Sequence, residues 1–331
     1  MKRDLLQIAA FAIAIGLVTA FVDSGVWLTF TMMALYGALL AQAWNILGGY
    51  GGQFSFGHAL FFGVGAYAQV IAQLSFGLNA WLALALAIAL AALVGFALGA
   101  IAFRRGHRGL RGSYFALVTL AFAEVFRIGA VSVGFTGGGV GMMLPLSESL
   151  ANLQFGSRRG YIVLMLAFVV AAALVTAWIR HSRFGAGLMA VRDNEDAANA
   201  VGVDPQRAKR GAITLSAAFM GAAGAFYLQV FQYIDPGIAF GPHVSVEALV
   251  AAIVGGMGTL WGPVLGALTL HLLADLTRNL FGQLPGLNMV IYGTVLVLIV
   301  MFLPRGLAGL FGQARSVREV WRGAGRGPRG G

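Results

Sequence analysis

The segment Ser24–Phe103 reads SGVWLTFTMMALYGALLAQAWNILGGYGGQFSFGHALFFGVGAYAQVIAQLSFGLNAWLALALAIALAALVGFALGAIAF, 80 residues without one Asp, Glu, Lys or Arg. A helix needs roughly 20 apolar residues to cross the hydrocarbon of a bilayer. The segment therefore holds about three crossings and leaves almost no room for soluble loops. The rest of the 331-residue chain agrees: 10% of residues are charged, against about 25% in a soluble domain. Mean hydropathy is +0.83. These values exclude a water-soluble globular protein, a secreted disulfide domain and a nucleic-acid binder, despite a net charge of +10. The chain has no cysteine, so it offers no disulfide, thiolate metal site or thiol nucleophile. Lys2 and Lys209 are its two lysines and neither follows a glycine, so it cannot itself form the Gly-Lys phosphate loop of an ATPase. Glycine makes up 48 of the residues, about twice the usual share, which suits close helix packing and interrupted membrane helices.

Working outward, the apolar segments fall at about 1–22, 27–47, 58–76, 80–103, 113–134, 161–180, 210–231, 245–282 and 288–303. Lipid supplies no hydrogen-bond partner, and the segments are too continuously apolar for a barrel, so each is expected to be α-helical. Met1–Val22 lacks an A-x-A-like cleavage site before the next apolar stretch and reads as a retained first helix rather than a signal peptide. The fold class expected is an all-α polytopic membrane protein of about nine to ten helices. Residues 1–310 form a single membrane domain. The Arg- and Gly-rich residues 311–331 form a basic cytoplasmic tail, which either touches anionic lipid or merely fixes topology.

Orientation follows from the basic residues. With the N-terminus in the cytoplasm, alternation places Lys2 and Arg3, the arginines at 104–111, the cations between Arg180 and Arg210 and those of the C-terminal tail on one side. Only Arg158 and Arg159 fall outside, so both termini are expected to be cytoplasmic. That requires an odd number of crossings between residues 232 and 304. Gly255-Gly256-Met257-Gly258-Thr259-Leu260-Trp261-Gly262-Pro263 is the expected break, giving two short or re-entrant helices, about 245–256 and 262–282. A second cluster, Gly48-Gly49-Tyr50-Gly51-Gly52, shares its Gly-Gly-x-Gly start. Irregular backbone of this kind at membrane depth is tolerated where it is buried or lines a cavity.

The longest polar interior segment runs from Arg180 to Arg210. Within it residues 187–201 are expected to form one short amphipathic helix with Leu188, Val191, Ala198 and Val201 on one side, closed by Gly202 and Pro205. Such a helix either docks on a soluble partner or is a solvated connector. Glu124 lies near the middle of its helix with Arg127 three residues later on the same side. A charge at that depth should face protein or water, either as an orienting ion pair or as a polar contact on a translocation path. Glu247 opens the interrupted segment, His271 and Asp275 share a face, and His58 follows the first glycine turn, where a bond to freed carbonyls is expected. The five histidines show no metal-ligand spacing, and no nucleophile–base pattern points to an enzyme. The small-residue pairs Gly95/Gly99 and Gly262/Gly266, and the run Ala217, Gly221, Ala225, read as internal packing.

The stretch Arg192 to Gly202, Arg-x-Asn-Glu-x-Ala-Ala-x-x-x-Gly, resembles the cytoplasmic coupling loop of branched-chain amino acid ABC transporter permeases of the LivM type. Ala43–Ala59, Tyr114–Glu124 and Gly255–Pro263 resemble three further signatures of that family, in family order. Gly187 and Met189 depart from it, standing where the family often has arginines. The resemblance implies an ABC importer permease fold for leucine, isoleucine and valine in a bacterial inner membrane. It implies a second, LivH-like permease subunit, a periplasmic binding protein and two cytoplasmic ATPase subunits, which use the ATP and Mg; this chain would bind no cofactor. It also implies that Arg183, Arg192, Asn194, Glu195, Ala197, Ala198 and Gly202 contact the ATPase. Alternatives are an ABC permease for another solute such as urea or a sugar, an ion-coupled secondary transporter using Glu124, and a non-transport membrane subunit.

Overall fold

A computed structural model describes residues 1–104, 109–110, 112–281, 287–302 and 306–309. The helices are α1 Lys2–Phe21, α2 Gly25–Asn45, α3 His58–Leu74, α4 Ala80–Ala102, α5 Gly112–Ser132, α6 Arg158–His181, α7 Arg183–Asp193, α8 Glu195–Ala200, α9 Pro205–Phe231, α10 Pro236–Phe240, α11 Pro242–Gly255, α12 Gly262–Phe281 and α13 Leu287–Phe302. Two-residue strands β1 Met142–Met143 and β2 Tyr233–Ile234 pair antiparallel at one end. Seven stretches are long and apolar enough to cross a membrane by length and composition, with α10 and α11 counted together as one. Together with α3, α12 and α13 they meet the expected range of nine to ten. The basic tail, 311–331, lies outside the described residues.

The bundle is built around α2 and α9. Two-thirds of each of these spans is buried, against 11% of α1. α2 packs on α6, α9, α11 and α12, while α9 packs on α3 and α4. Small residues set the spacing. A Cβ on Gly65 would overlap the backbone of Gly221, and one on Gly221 would overlap Ala91. Gly95 and Gly99 lie against Ile213, and Gly266 lies against Ala251 and Gly255. The small-residue pairs are thus spent on packing within the chain, where backbones approach closely without a hydrophobic force between helices.

Beyond Pro236 the described residues make three helical passes, α10–α11, α12 and α13. The turn after α11 sits at the end of the bundle that carries Gln7 and Arg180, because Trp261 Nε1 donates to Gln7 Oε1 at 3.0 Å and Gly258 N donates to Asn45 Oδ1 at 2.7 Å. After α13 the chain returns to that end, where Gly306 lies against Gly256. Three passes, α10–α11, α12 and α13, are the odd number expected from the distribution of basic residues. Gly256 and Gly258 take φ of 113° and 73°, a left-handed region that disfavours any side chain, which is why this turn is written in glycine.

The first glycine cluster does something different. After Asn45 the α-ladder loosens into a π-turn, Ile46–Tyr50, all of it buried. Residues 51–57 then run without regular secondary structure to His58, with Gln53, Ser55 and Gly57 buried and Phe54 exposed. Trp44, fully buried, donates from Nε1 to the Ser55 carbonyl at 2.9 Å and so holds this segment.

Candidate functional site

The polar loop between α6 and α9 is fully capped. Ser182 Oγ accepts from Gly185 N at 3.1 Å and starts α7. Asn194 leaves helical geometry (φ −157°, ψ 107°), and its Oδ1 accepts from Ala197 N at 3.0 Å. The single helix expected over 187–201 is therefore corrected to two, because Asn194 offers the backbone a cap that competes with helix continuation. Glu195 and Asp196 then occupy the favourable first turn of α8. Gly202 (φ 92°) reverses the chain, and Asp204 caps α9 with Pro205 at its first position.

Leu188, Val191 and Ala198 are buried as the amphipathic pattern requires, but Val201 is 80% exposed. The break at Asn194 rotates α8 and removes Val201 from the common side. Arg183, Arg192, Asn194, Ala197 and Gly202 are exposed, while Glu195 is only partly so. Glu195 instead reaches inward, accepting from Lys209 Nζ at 2.7 Å, and Lys209 is 2% exposed with its ammonium 5.4 Å from the Phe103 ring centre. That pair ties α8 to the membrane helix α9.

Arg192 makes the second tie. Its Nη1 donates to the Gly49 carbonyl at 3.2 Å, and its Cγ lies 2.5 Å from where a Cβ on Gly52 (φ 65°) would stand. The same Nη1 is 3.2 Å from the place of a Cβ on Gly258, and Leu188 lies against Gly51. Asn45 bridges the two turns, accepting from Gly258 N and donating to the Thr259 carbonyl at 3.1 Å. The clusters Gly48, Gly49, Gly51, Gly52 and Gly255, Gly256, Gly258 thus converge on one another and on α7. They are glycine because the approach leaves no room: Cβ atoms on Gly49 and Gly255 would overlap Asn45 and the Gly262 carbonyl. Below this node Asp4 accepts from Arg180 at 3.1 Å and from His181 at 3.0 Å, pinning α1 to the start of the loop.

His58 stands apart from the loop. It bonds Ser216 Oγ at 2.8 Å, and Ser216 donates onward to the Ala43 carbonyl at 2.6 Å. Since Ser216 spends its proton on Ala43, His58 is the donor through Nε2. His58 thus reaches the Ala43 carbonyl near the turn through a serine of α9. Glu124 and Arg127 form the expected pair, with Arg127 donating from Nε at 2.9 Å and from Nη2 at 2.6 Å. Their side chains are 47% and 35% exposed on the outer surface of α5, beside Leu117 and Val125, so they do not face the interior of this chain. Glu247 lines a cavity on the far side of α2.

Sequence reasoning overlooked Asn45, Lys209 and Asp4. Lys209 carried a signal, being one of two lysines and standing in an otherwise apolar helix. Asn45 carried none beyond its place beside Trp44.

This arrangement, a buried glycine-turn node beneath a capped polar loop in a bundle of apolar helices, defines a multi-pass membrane protein. Residues 26–300 match the family described as "Branched-chain amino acid transport system / permease component", and the chain belongs to that family. It is 28% identical, over 93% of its length and 75% of the relative's, to the high-affinity branched-chain amino acid transport system permease protein LivM of Escherichia coli (strain K12). The LivM protein of Salmonella typhimurium is 30% identical over 84% of the chain and 68% of the relative. The LivH protein of the same organism is 26% identical over 82% and 91%.

Proposed function

We propose that the chain is a permease subunit of an ATP-binding cassette importer that carries branched-chain amino acids across the bacterial inner membrane, with both termini in the cytoplasm. The observation that carries this reading is Arg192. It sits on an exposed polar loop yet holds the carbonyl of one membrane turn and flanks the other. A partner that moved α7 and α8 would move both turns together.

The chain itself has no phosphate loop, so ATP and Mg belong to two ATPase subunits docked on the exposed face of α7 and α8. Arg183, Asn194, Ala197 and Gly202 lie on or beside that face. A second, LivH-like permease and a periplasmic binding protein complete the importer. The names of the relatives support the substrate class and the pairing of two permeases. The Glu124–Arg127 pair supports the pairing too. An ion pair at mid-membrane is costly against lipid, so α5 is the helix we assign to the partner permease or to the path between the two.

The test is reconstitution. An affinity-tagged chain should bring down ATPase subunits and a second permease. Proteoliposomes should take up leucine only with ATP and binding protein, with isoleucine and valine competing and urea or a pentose not. Uptake that survives without ATP hydrolysis and collapses with the ion gradient would overturn the reading.

A further inference from the structure

A cavity of about 1060 Å³ opens between α2, α11 and α12, with Tyr227 and Phe231 of α9 and Arg158 of α6 on its wall. Its lining is graded along the bundle. Arg158 lies against Gly25 at the outer start of α2, and Arg278 stands near the matching end of α12. Asp275 is one turn deeper on α12 and 4.0 Å from Arg278. Glu247 and His271 lie deeper again, His271 against Gly37, and Phe30, Met33, Val250 and Leu270 provide apolar wall.

Glu247 is the anomaly. It is partly buried in the cavity, on a helix counted among the membrane spans, and among the described residues no hydrogen bond or ion pair reaches it. An ionisable group in a membrane helix faces a partner or a water-filled cavity and marks a site by default. A carboxylate in this position is completed by a cation. The cavity wall carries four groups that could supply one from the protein: Arg278 pairs loosely with Asp275, Arg158 lies at the outer end, and His243 and His271 line the wall without a hydrogen bond or ion pair to Glu247 among the described residues. The cavity is large enough for a small ligand, just above the usual range for such pockets, and combines an apolar wall with six ionisable side chains.

We propose that this cleft binds a small amphiphile, its primary ammonium on Glu247, its aliphatic chain on Met33, Val250 and Leu270, and its anionic group turned outward toward Arg158 and Arg278. Free aliphatic amino acids share that chemistry with aminophospholipids. Assigning the amino acid as the occupant rests on the importer reading above, whereas the ammonium site does not. An amino acid released at the outer face would meet the arginines first and then exchange them for Glu247 as it descends.

The full chain, purified with its permease partner where the two travel together, is placed in nanodiscs of phosphatidylcholine and phosphatidylglycerol, which carry no primary amine. Binding of radiolabelled leucine is measured without ATP, ATPase or binding protein, so failure of the coupling reading leaves this result untouched. Leucine should bind saturably, 3-methylbutylamine should compete, and 4-methylpentanoate, which lacks the ammonium, should not. Glu247→Gln should weaken binding at least tenfold and Glu247→Asp by only a few fold. Val250→Phe, which fills the apolar wall and keeps the acid, should also weaken it. In a parallel arm with phosphatidylethanolamine, native mass spectrometry reads retained lipid. Aminophospholipid held by the wild type and lost in Glu247→Gln supports the ammonium site with lipid as the source. Retention of neither ligand, or equal retention by folded Glu247→Gln, overturns the proposal.

Discussion

Replacing Arg192 by methionine keeps the aliphatic stem that packs over Gly52 and deletes the hydrogen bond to the Gly49 carbonyl. A bond from a charged donor contributes about 1.5–3 kcal/mol. The Arg192 side chain is 36% exposed and its donor–acceptor distance is 3.2 Å, so solvent screening lowers the figure to about 1–1.5 kcal/mol. Its contact with Asp193, a residue 70% exposed, adds little. If the bond exists in one access state and not the other, losing it shifts their equilibrium by about 5- to 13-fold. The assay is amino acid moved per ATP hydrolysed in proteoliposomes holding the complete importer. Arg192→Met should lower that ratio by a similar factor, with ATP hydrolysis retained and the thermal midpoint of the detergent-solubilised chain little changed. Arg192→Lys should fall between, since a single ammonium can reach Gly49 but cannot chelate Asp193 as well. An unchanged ratio in Arg192→Met would refute the argument that this side chain transmits the motion.

Glu195→Lys combined with Ala198→Asp places a like charge beside buried Lys209 and a carboxylate at a 4% exposed position; uptake should be lost while the helices still insert, as cysteine-accessibility mapping on this cysteine-free chain can read. Asn45→Ala leaves the part-buried Gly258 N–H and Thr259 carbonyl without their partner, which should cost about 1–3 kcal/mol and lower the thermal midpoint. Gly255→Ala forces a Cβ into the Gly262 carbonyl and should destabilise by about 1–3 kcal/mol or more. Gly16→Ala has open space around it in the middle of α1, so its thermal midpoint should hold or rise.

The helix order was legible because membrane helices are written in composition. Eighty uncharged residues admit one kind of structure, and ten apolar helices appear where apolar segments ran. The glycine break at 255–263 was legible for the same local reason: only a turn needs φ above zero at Gly256 and Gly258. Convergence was not legible. Gly49 and Gly258 are far apart in sequence, and nothing in either cluster says that the other is its neighbour. The shared Gly-Gly-x-Gly start does not announce that the two turns pack against each other. The break at Asn194 was missed because apolar spacing over 187–201 reports which side is buried and is blind to a side chain that caps its own backbone. Glu124 was read from depth alone, and depth does not say which side of a helix faces its own chain.

The placement of Arg192 also constrains how the two turns move. Gly49 belongs to the connection from α2 to α3, and Gly258 to the connection from α11 to α12. Asn45 bonds the second turn from the first through two hydrogen bonds, so the turns cannot separate without exposing buried backbone groups. Arg192 then grips the pair at one carbonyl. A displacement of α7 would therefore reach α2, α3, α11 and α12 through this node and α9 through the packing of Phe184 on Gly211, while the Lys209–Glu195 pair joins α8 to α9 as well. Both short helices are therefore coupled to α9, and only α7 reaches the glycine turns as well.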